Sequence, residues 1–216
     1  MIVKVCGVRT PEIAECAVAA GADWIGVVLE PRSPRFAGEV EAEAVRRAVA
    51  GRADLVGVMV EPSPERCRDL VRRHRLAAVQ VHGRVAPGMV AEVDATVIRG
   101  VNPRDAHEAL TLEWWPDCPV LLDSAPRALG ALPGGTGVAM DLELAAEVAA
   151  HRPVILAGGL TPESVGAAIR RVRPLGVDAS SGLESRPGVK DPGRVRDFVM
   201  AAREAFARLG RAEVAP

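Results

Sequence analysis

The chain has 216 residues, of which 49% are hydrophobic and 25% charged, and its formal net charge is -1. That is enough for one domain with a sizeable core, and the near-neutral balance gives no general pull toward nucleic acid or an anionic membrane. An anionic ligand must therefore be held by local donors. The cysteines Cys6, Cys16, Cys67 and Cys118 are far apart and show no C-x-x-C or Cys/His metal spacing. No uninterrupted apolar run is long enough for a membrane span. Met1-Ile2-Val3-Lys4 is expected to run into a first strand rather than a secretory leader, so free thiols in a reducing cytoplasmic setting are expected.

Taken in chain order, short β-branched runs alternate with amphipathic stretches. A strand is predicted over 2–6 and a helix over 11–20, with Thr10 as cap and Pro11 in the first turn. Strand 24–29 precedes helix 40–50, and strand 55–60 precedes helix 64–74 with Ser63 as cap. Strand 78–81 leads to a short helix over 87–93, and strand 96–100 to a helix over 104–110. Strand 119–122 is followed by helix 142–150, and strand 154–157 by helix 162–171 capped by Thr161. Strand 176–179 and a long helix over 192–209 complete the pattern.

These amount to eight βα units with no composition break, so residues 1–216 are expected to form a single (β/α)₈ barrel. The strands are apolar on both faces, as parallel strands covered by helices must be. An open dinucleotide-binding sheet is the competing architecture, but Cys6-Gly7-Val8 lacks the G-x-G-x-x-G turn.

In such a barrel the site lies at the C-terminal ends of the strands. The polar residues falling there are Cys6, Arg35, His82, Asp123 and Asp178. Two glycine- and serine-containing turns follow the last two strands, Ala157-Gly158-Gly159-Leu160 and Ala179-Ser180-Ser181-Gly182. Backbone without Cβ atoms can approach an anion closely, and hydroxyls add donors, so Gly158, Gly159, Ser180 and Ser181 are candidate phosphate ligands. The stretch between Ser124 and Asp141, with Gly134-Gly135-Thr136-Gly137, is long enough to be a cover over the site. Strict strand alternation puts Lys4 and Cys6 on one face, with Lys4 deeper in the barrel. His74, His107 and His151 fall in or beside helices and are expected to face solvent.

Val3-Lys4-Val5-Cys6-Gly7, Ser33-Pro34-Arg35, Val79-Gln80-Val81-His82-Gly83 and Leu121-Leu122-Asp123 resemble successive signatures of phosphoribosylanthranilate isomerases. So do Gly134-Gly135-Thr136-Gly137, Leu156-Ala157-Gly158-Gly159-Leu160, the run from Val177 to Glu184, and Gly188-Val189-Lys190-Asp191. The resemblance spans nearly the whole chain in the expected order. It implies a phosphate-binding barrel that performs an Amadori rearrangement in tryptophan biosynthesis without metal or coenzyme. It further implies Cys6 as general base, Asp123 as general acid, and Arg35 and Asp178 as substrate contacts. The turns at Gly158-Gly159 and Ser180-Ser181 would hold the phosphate, while His82 either touches substrate or braces a rim loop. The implied partner is a small phosphorylated substrate, on a monomer or a homodimer.

Aromatic residues are scarce, with three Phe, three Trp and no Tyr, so an anthranilate ring would rest mostly on aliphatic side chains. The nearest rival is the histidine-pathway isomerase of a phosphoribosyl aminoimidazole, which resembles this chemistry but carries an aspartate where Cys6 stands. A metal-dependent pentose-phosphate epimerase would need two His and two Asp ligands that the rim lacks. A non-catalytic phosphate-binding barrel would be expected to lose Cys6 or Asp123.

Overall fold

The computed structural model describes residues 1–103, 118–124 and 139–212. The helix expected over 104–110, His107 and the run Gly134-Gly135-Thr136-Gly137 lie outside them.

Eight parallel strands close into a barrel in chain order. They are β1 (Ile2–Cys6), β2 (Trp24–Val28), β3 (Asp54–Val60), β4 (Ala78–His82), β5 (Thr96–Val101), β6 (Val120–Leu122), β7 (Val154–Leu156) and β8 (Gly176–Ala179). The described helices are α1 (Pro11–Ala20), α2 (Glu39–Val49), α3 (Pro64–His74), α4 (Met89–Glu92), α5 (Leu142–His151), α6 (Val165–Val172) and α7 (Pro192–Ala212). None is long and apolar enough to cross a membrane.

Local chemistry sets these boundaries. The Thr10 hydroxyl accepts from the Ile13 N–H and the Ser63 hydroxyl from the Arg66 N–H, with Pro11 and Pro64 in the first turns. Asp141 caps α5 by accepting from the Glu143 and Leu144 N–H groups at 2.9 and 3.2 Å. Thr161 accepts from the Ser164 N–H at 3.3 Å, as a cap does, and residues 162–164 form a turn, so α6 is regular from Val165 rather than 162.

Alternation along the strands then divides the core. Outward residues such as Val3, Val5, Ile25, Val79, Leu122 and Val177 pack against the helices as one large cluster. Inward residues Val56, Ala78, Ile98, Leu121 and Ile155 fill the barrel floor with Trp24 against them. Above that floor the inward positions turn polar, which is where a site can form.

An element absent from the expected series follows β8. Ser181–Leu183 makes one 3₁₀ turn, and Glu184–Arg186 (β9) pairs antiparallel with Val189–Lys190 (β10). Gly188 has a φ of +77°, and a Cβ there would press on the Pro34 carbonyl oxygen. The hairpin therefore lies close against the loop after β2.

Candidate active site

Cys6, Arg35, His82, Asp123, Asp178 and Ser180 all line one pocket at the C-terminal mouth of the barrel. Val28, Val58, Val60 and Pro34 give it an aliphatic wall. Residues from β1, β4, β6, β8 and the loop after β2 thus converge on a single cavity, as the strand-end pattern anticipated.

Cys6 is the last residue of β1 and stands opposite Gly26 in the β1–β2 register. A Cβ at Gly26 would lie 2.9 Å from Cys6 Sγ and 3.2 Å from Lys4 Nζ, so glycine leaves the space those two atoms share. Lys4, two residues deeper, is fully buried, and its Nζ donates to Asp178 Oδ1 at 3.0 Å. Lys4 and Asp178 are direct partners in the β1–β8 register that closes the barrel. Burial pushes the Cys6 thiol above its ordinary range against the pull of Lys4. Burial also opposes the Lys4 charge, but Asp178 and Cys6 outweigh it and keep that ammonium protonated above its usual range.

Asp123 follows β6 and is 7% exposed. Its Oδ1 accepts from the Ser124 backbone N–H at 2.8 Å. Burial raises its pKa to about 6, with the Asp178 charge adding to the rise and the Ser124 bonds opposing it. A carboxyl so placed remains partly protonated near neutral pH, which a general acid requires. Gly158 is packed against it: a Cβ there would lie 2.9 Å from the Ser124 nitrogen and 3.3 Å from Asp123 Oδ1.

Arg35 projects from the loop after β2 and is nearly buried. Its Nε and one terminal nitrogen donate to the two carboxylate oxygens of Glu184 at 2.7 and 2.9 Å. The same carboxylate accepts from Lys190 Nζ at 2.7 Å, and Lys190 also reaches Ser180 Oγ at 3.3 Å. Burial works against the Glu184 charge, but Arg35 and Lys190 outweigh it and hold the carboxyl below the usual range.

His82 ends β4 and is 3% exposed. The Gln80 amide nitrogen lies 2.7 Å from its Nε2 and can only donate, which makes that ring nitrogen the acceptor. Burial pushes the imidazole down to about 3, with the Arg99 and Lys4 charges assisting, so the ring is neutral at working pH. Its ring packs flat over Gly100, where a Cβ would overlap it. His82 thus borders the pocket as a neutral polar wall.

Gly158 and Gly159 both take positive φ, +85° and +64°, which an L side chain would resist. Gly182 packs so closely on the loop after β7 that a Cβ would overlap the Leu160 carbonyl oxygen. The turns carrying Gly158-Gly159 and Ser180-Ser181 are therefore drawn together beside the pocket, half-buried and reachable from solvent.

Glu184 and Lys190, which strand-end position does not single out in the sequence, also stand at the mouth, joined to Arg35 and Ser180. Glu184 follows the Ser180-Ser181 turn by three residues, and Lys190 returns to it across the Gly188 turn of the hairpin. His74, expected at the surface, is 5% exposed on the inner side of α3. Helical position alone did not reveal its face. His151 is exposed as expected.

Comparisons with known proteins agree with this geometry. The sequence profile of N-(5'phosphoribosyl)anthranilate (PRA) isomerase matches residues 3–201. An N-(5'-phosphoribosyl)anthranilate isomerase of Desulforudis audaxviator is 40% identical over 207 residues, 95% of this chain and 99% of the relative. A phosphoribosyl anthranilate isomerase solved in complex with reduced 1-(o-carboxyphenylamino)-1-deoxyribulose 5-phosphate superposes with a TM-score of 0.82. That protein is 31% identical, with 94% of this chain and all of the other covered. Monomers generated from the dimeric Thermotoga maritima enzyme superpose at 0.80 with 31% identity, again covering 94% and 100% of the two chains. With profile, sequence and fold agreeing along almost its whole length, the chain belongs to the N-(5'-phosphoribosyl)anthranilate isomerase family.

Proposed function

We propose that Cys6 and Asp123 are the base and acid with which the chain isomerises N-(5'-phosphoribosyl)anthranilate to its 1-deoxyribulose 5-phosphate derivative, in tryptophan biosynthesis. The observation that carries this reading is the pairing of the two groups across one pocket, a thiol on β1 and a carboxyl with pKa raised to about 6 after β6.

The Asp123 carboxylic acid donates its proton to the furanose ring oxygen as the C1'–O bond breaks. The anthranilate nitrogen supplies the electron pair, giving a protonated Schiff base at C1'. The Cys6 thiolate then takes the C2' proton, and the C–H electrons form the C1'=C2' bond of an enolamine while neutralising the nitrogen. Protonation at C1' and loss of the C2' hydroxyl proton yield the ketone. Proton transfers of this kind each contribute about 10²–10⁴-fold.

Arg35 and Asp178 contact the substrate from the two sides of β1, flanking Cys6, and His82 borders it as a neutral ring. Gly158, Gly159, Ser180 and Ser181 hold the phosphate through backbone N–H groups and hydroxyls. The anthranilate ring rests on Val28, Val58, Val60 and Pro34. We place the enzyme in the cytoplasm, with its four cysteines free and residues 1–216 as one domain. It acts as a monomer or, as the dimeric Thermotoga relative supports, a homodimer.

The test is steady-state turnover of freshly generated substrate by wild type, Cys6→Ala and Asp123→Asn. Each variant should lose about 10²-fold or more in kcat. Absence of turnover by folded wild type, or undiminished turnover by either variant, would refute the assignment.

A further inference from the structure

Of the chain's 27 basic residues, only Lys4 and Lys190 are lysines. Every other one is arginine, including those of all the surface ion pairs among the described residues. The two lysines are 0% and 7% exposed, and both stand beside Cys6. Lys4 lies beneath the thiol on the thiol's own strand, and a Cβ on Gly26 would lie 2.9 Å from Cys6 Sγ and 3.2 Å from Lys4 Nζ. Lys190 comes from β10, and a Cβ on Gly7, the residue after Cys6, would lie 3.2 Å from its Nζ. Each ammonium has a carboxylate on another side, Asp178 at 3.0 Å and Glu184 at 2.7 Å.

A buried ion pair contributes little net stability, and apolar side chains of similar volume often fill the same space as well or better. Fold stability therefore does not explain two buried lysines in a chain that otherwise uses arginine. An ammonium differs from a guanidinium in being a compact point charge, suited to approaching one sulfur atom in a crowded barrel.

We infer that Lys4 and Lys190 are positioning residues for the thiol, two ammoniums that hold the negative charge Cys6 carries when it acts as base. This rests on the reading of Cys6 as base. The groups facing the thiol are Lys4 on β1, Asp178 on β8 and Lys190 on β10, with Asp123 across the mouth and Arg35 beside Gly7; β2 presents only Gly26 and Val28. Burial raises the thiol, Lys4 and Lys190 draw it down, and Asp178 opposes them. Removing a cation should therefore lower the fraction of thiolate.

Two lysines make the test direct. In ¹⁵N-lysine-labelled wild type, both side-chain ammonium resonances should shift with the midpoint of Cys6 thiolate absorbance, and neither should shift over that range in Cys6→Ala. Resonances that ignore the thiol, or that behave alike in Cys6→Ala, would overturn the inference. Lys4→Met should raise the thiol midpoint by about one pH unit or more and lower kcat about tenfold per unit, leaving KM within about threefold. An unchanged midpoint in folded Lys4→Met would equally overturn it. Should that variant not fold, Lys190→Met and the wild-type titration decide. Full turnover by Cys6→Ala would remove the base itself, whereas a thiol midpoint blind to both lysines would remove only their role.

Discussion

Arg35 and Glu184, 149 residues apart in sequence, meet through two parallel hydrogen bonds of 2.7 and 2.9 Å at the barrel mouth. The loop after β2 and the hairpin after β8 are thereby tied together over Cys6, and the guanidinium plane is fixed before substrate arrives. A guanidinium held by two parallel bonds along one edge keeps a set orientation.

Glu184→Gln should loosen that orientation while leaving the acid and base in place. The expected outcome is a KM about tenfold higher with kcat changed by less than about threefold, close to 1.4 kcal/mol of lost binding. Steady-state kinetics at several substrate concentrations checks it. An unchanged KM would show that Glu184 does not position Arg35.

Asp123 links activity to stability. Its folded pKa of about 6 lies above the unfolded value near 3.8, so the folded state holds the proton more tightly. The contribution of this group is complete below about pH 3.8 and is lost as pH rises through 6. The loss by pH 8 is of order 3 kcal/mol. Asp123→Asn, which cannot ionise, should therefore be more stable than wild type at pH 8, and the advantage should vanish by about pH 4. Denaturant melts at the two pH values measure it; an equal gain at both would mean that the carboxylate is not strained by burial.

The turns after β7 and β8, proposed to hold the phosphate, are packed together at a residue without a side chain. Gly182→Ala would drive a Cβ into the Leu160 carbonyl oxygen, parting the loop after β8 from the loop after β7. Inhibition by inorganic phosphate should weaken about tenfold or more, while Gly88→Ala, at a site with open space around it, should leave it unchanged. Equal inhibition constants in all three proteins would place the phosphate elsewhere.

Much of this arrangement was legible in the sequence because it is local. Thr10-Pro11 and Ser63-Pro64 announce helix starts, and the β-branched runs between them announce strands, so the barrel followed from counting units. The places of Cys6, Asp123 and Asp178 on the pocket wall were legible because Cys6 closes an apolar run, Asp123 follows one and Asp178 stands near the end of one. Alternation alone placed Lys4 beneath Cys6. What the sequence could not show is closure: Lys4 faces Asp178 only because the first strand pairs with the last, in a register fixed by the whole ring. The hairpin carrying Glu184 and Lys190 escaped for a different reason. Its strands are three and two residues long and largely exposed, too short for any periodicity to register. The burial of His74 depended on how α3 docks, which its position near the helix end does not reveal.

The most direct test of the acid and base is the pH dependence of kcat/KM in wild type and Asp123→Asn. The reactive form needs Asp123 protonated and Cys6 ionised, although Cys6 has the higher pKa. Below about pH 6 the acid stays protonated and the rate should climb about tenfold per pH unit as thiolate accumulates. Above 6, gain of thiolate and loss of acid should cancel into a plateau that falls only beyond the thiol's own range. In Asp123→Asn the bend near 6 should disappear, with the residual rate rising until the thiol ionises. A bend near 6 that survives in the variant would assign it to another group and contradict Asp123 as the acid.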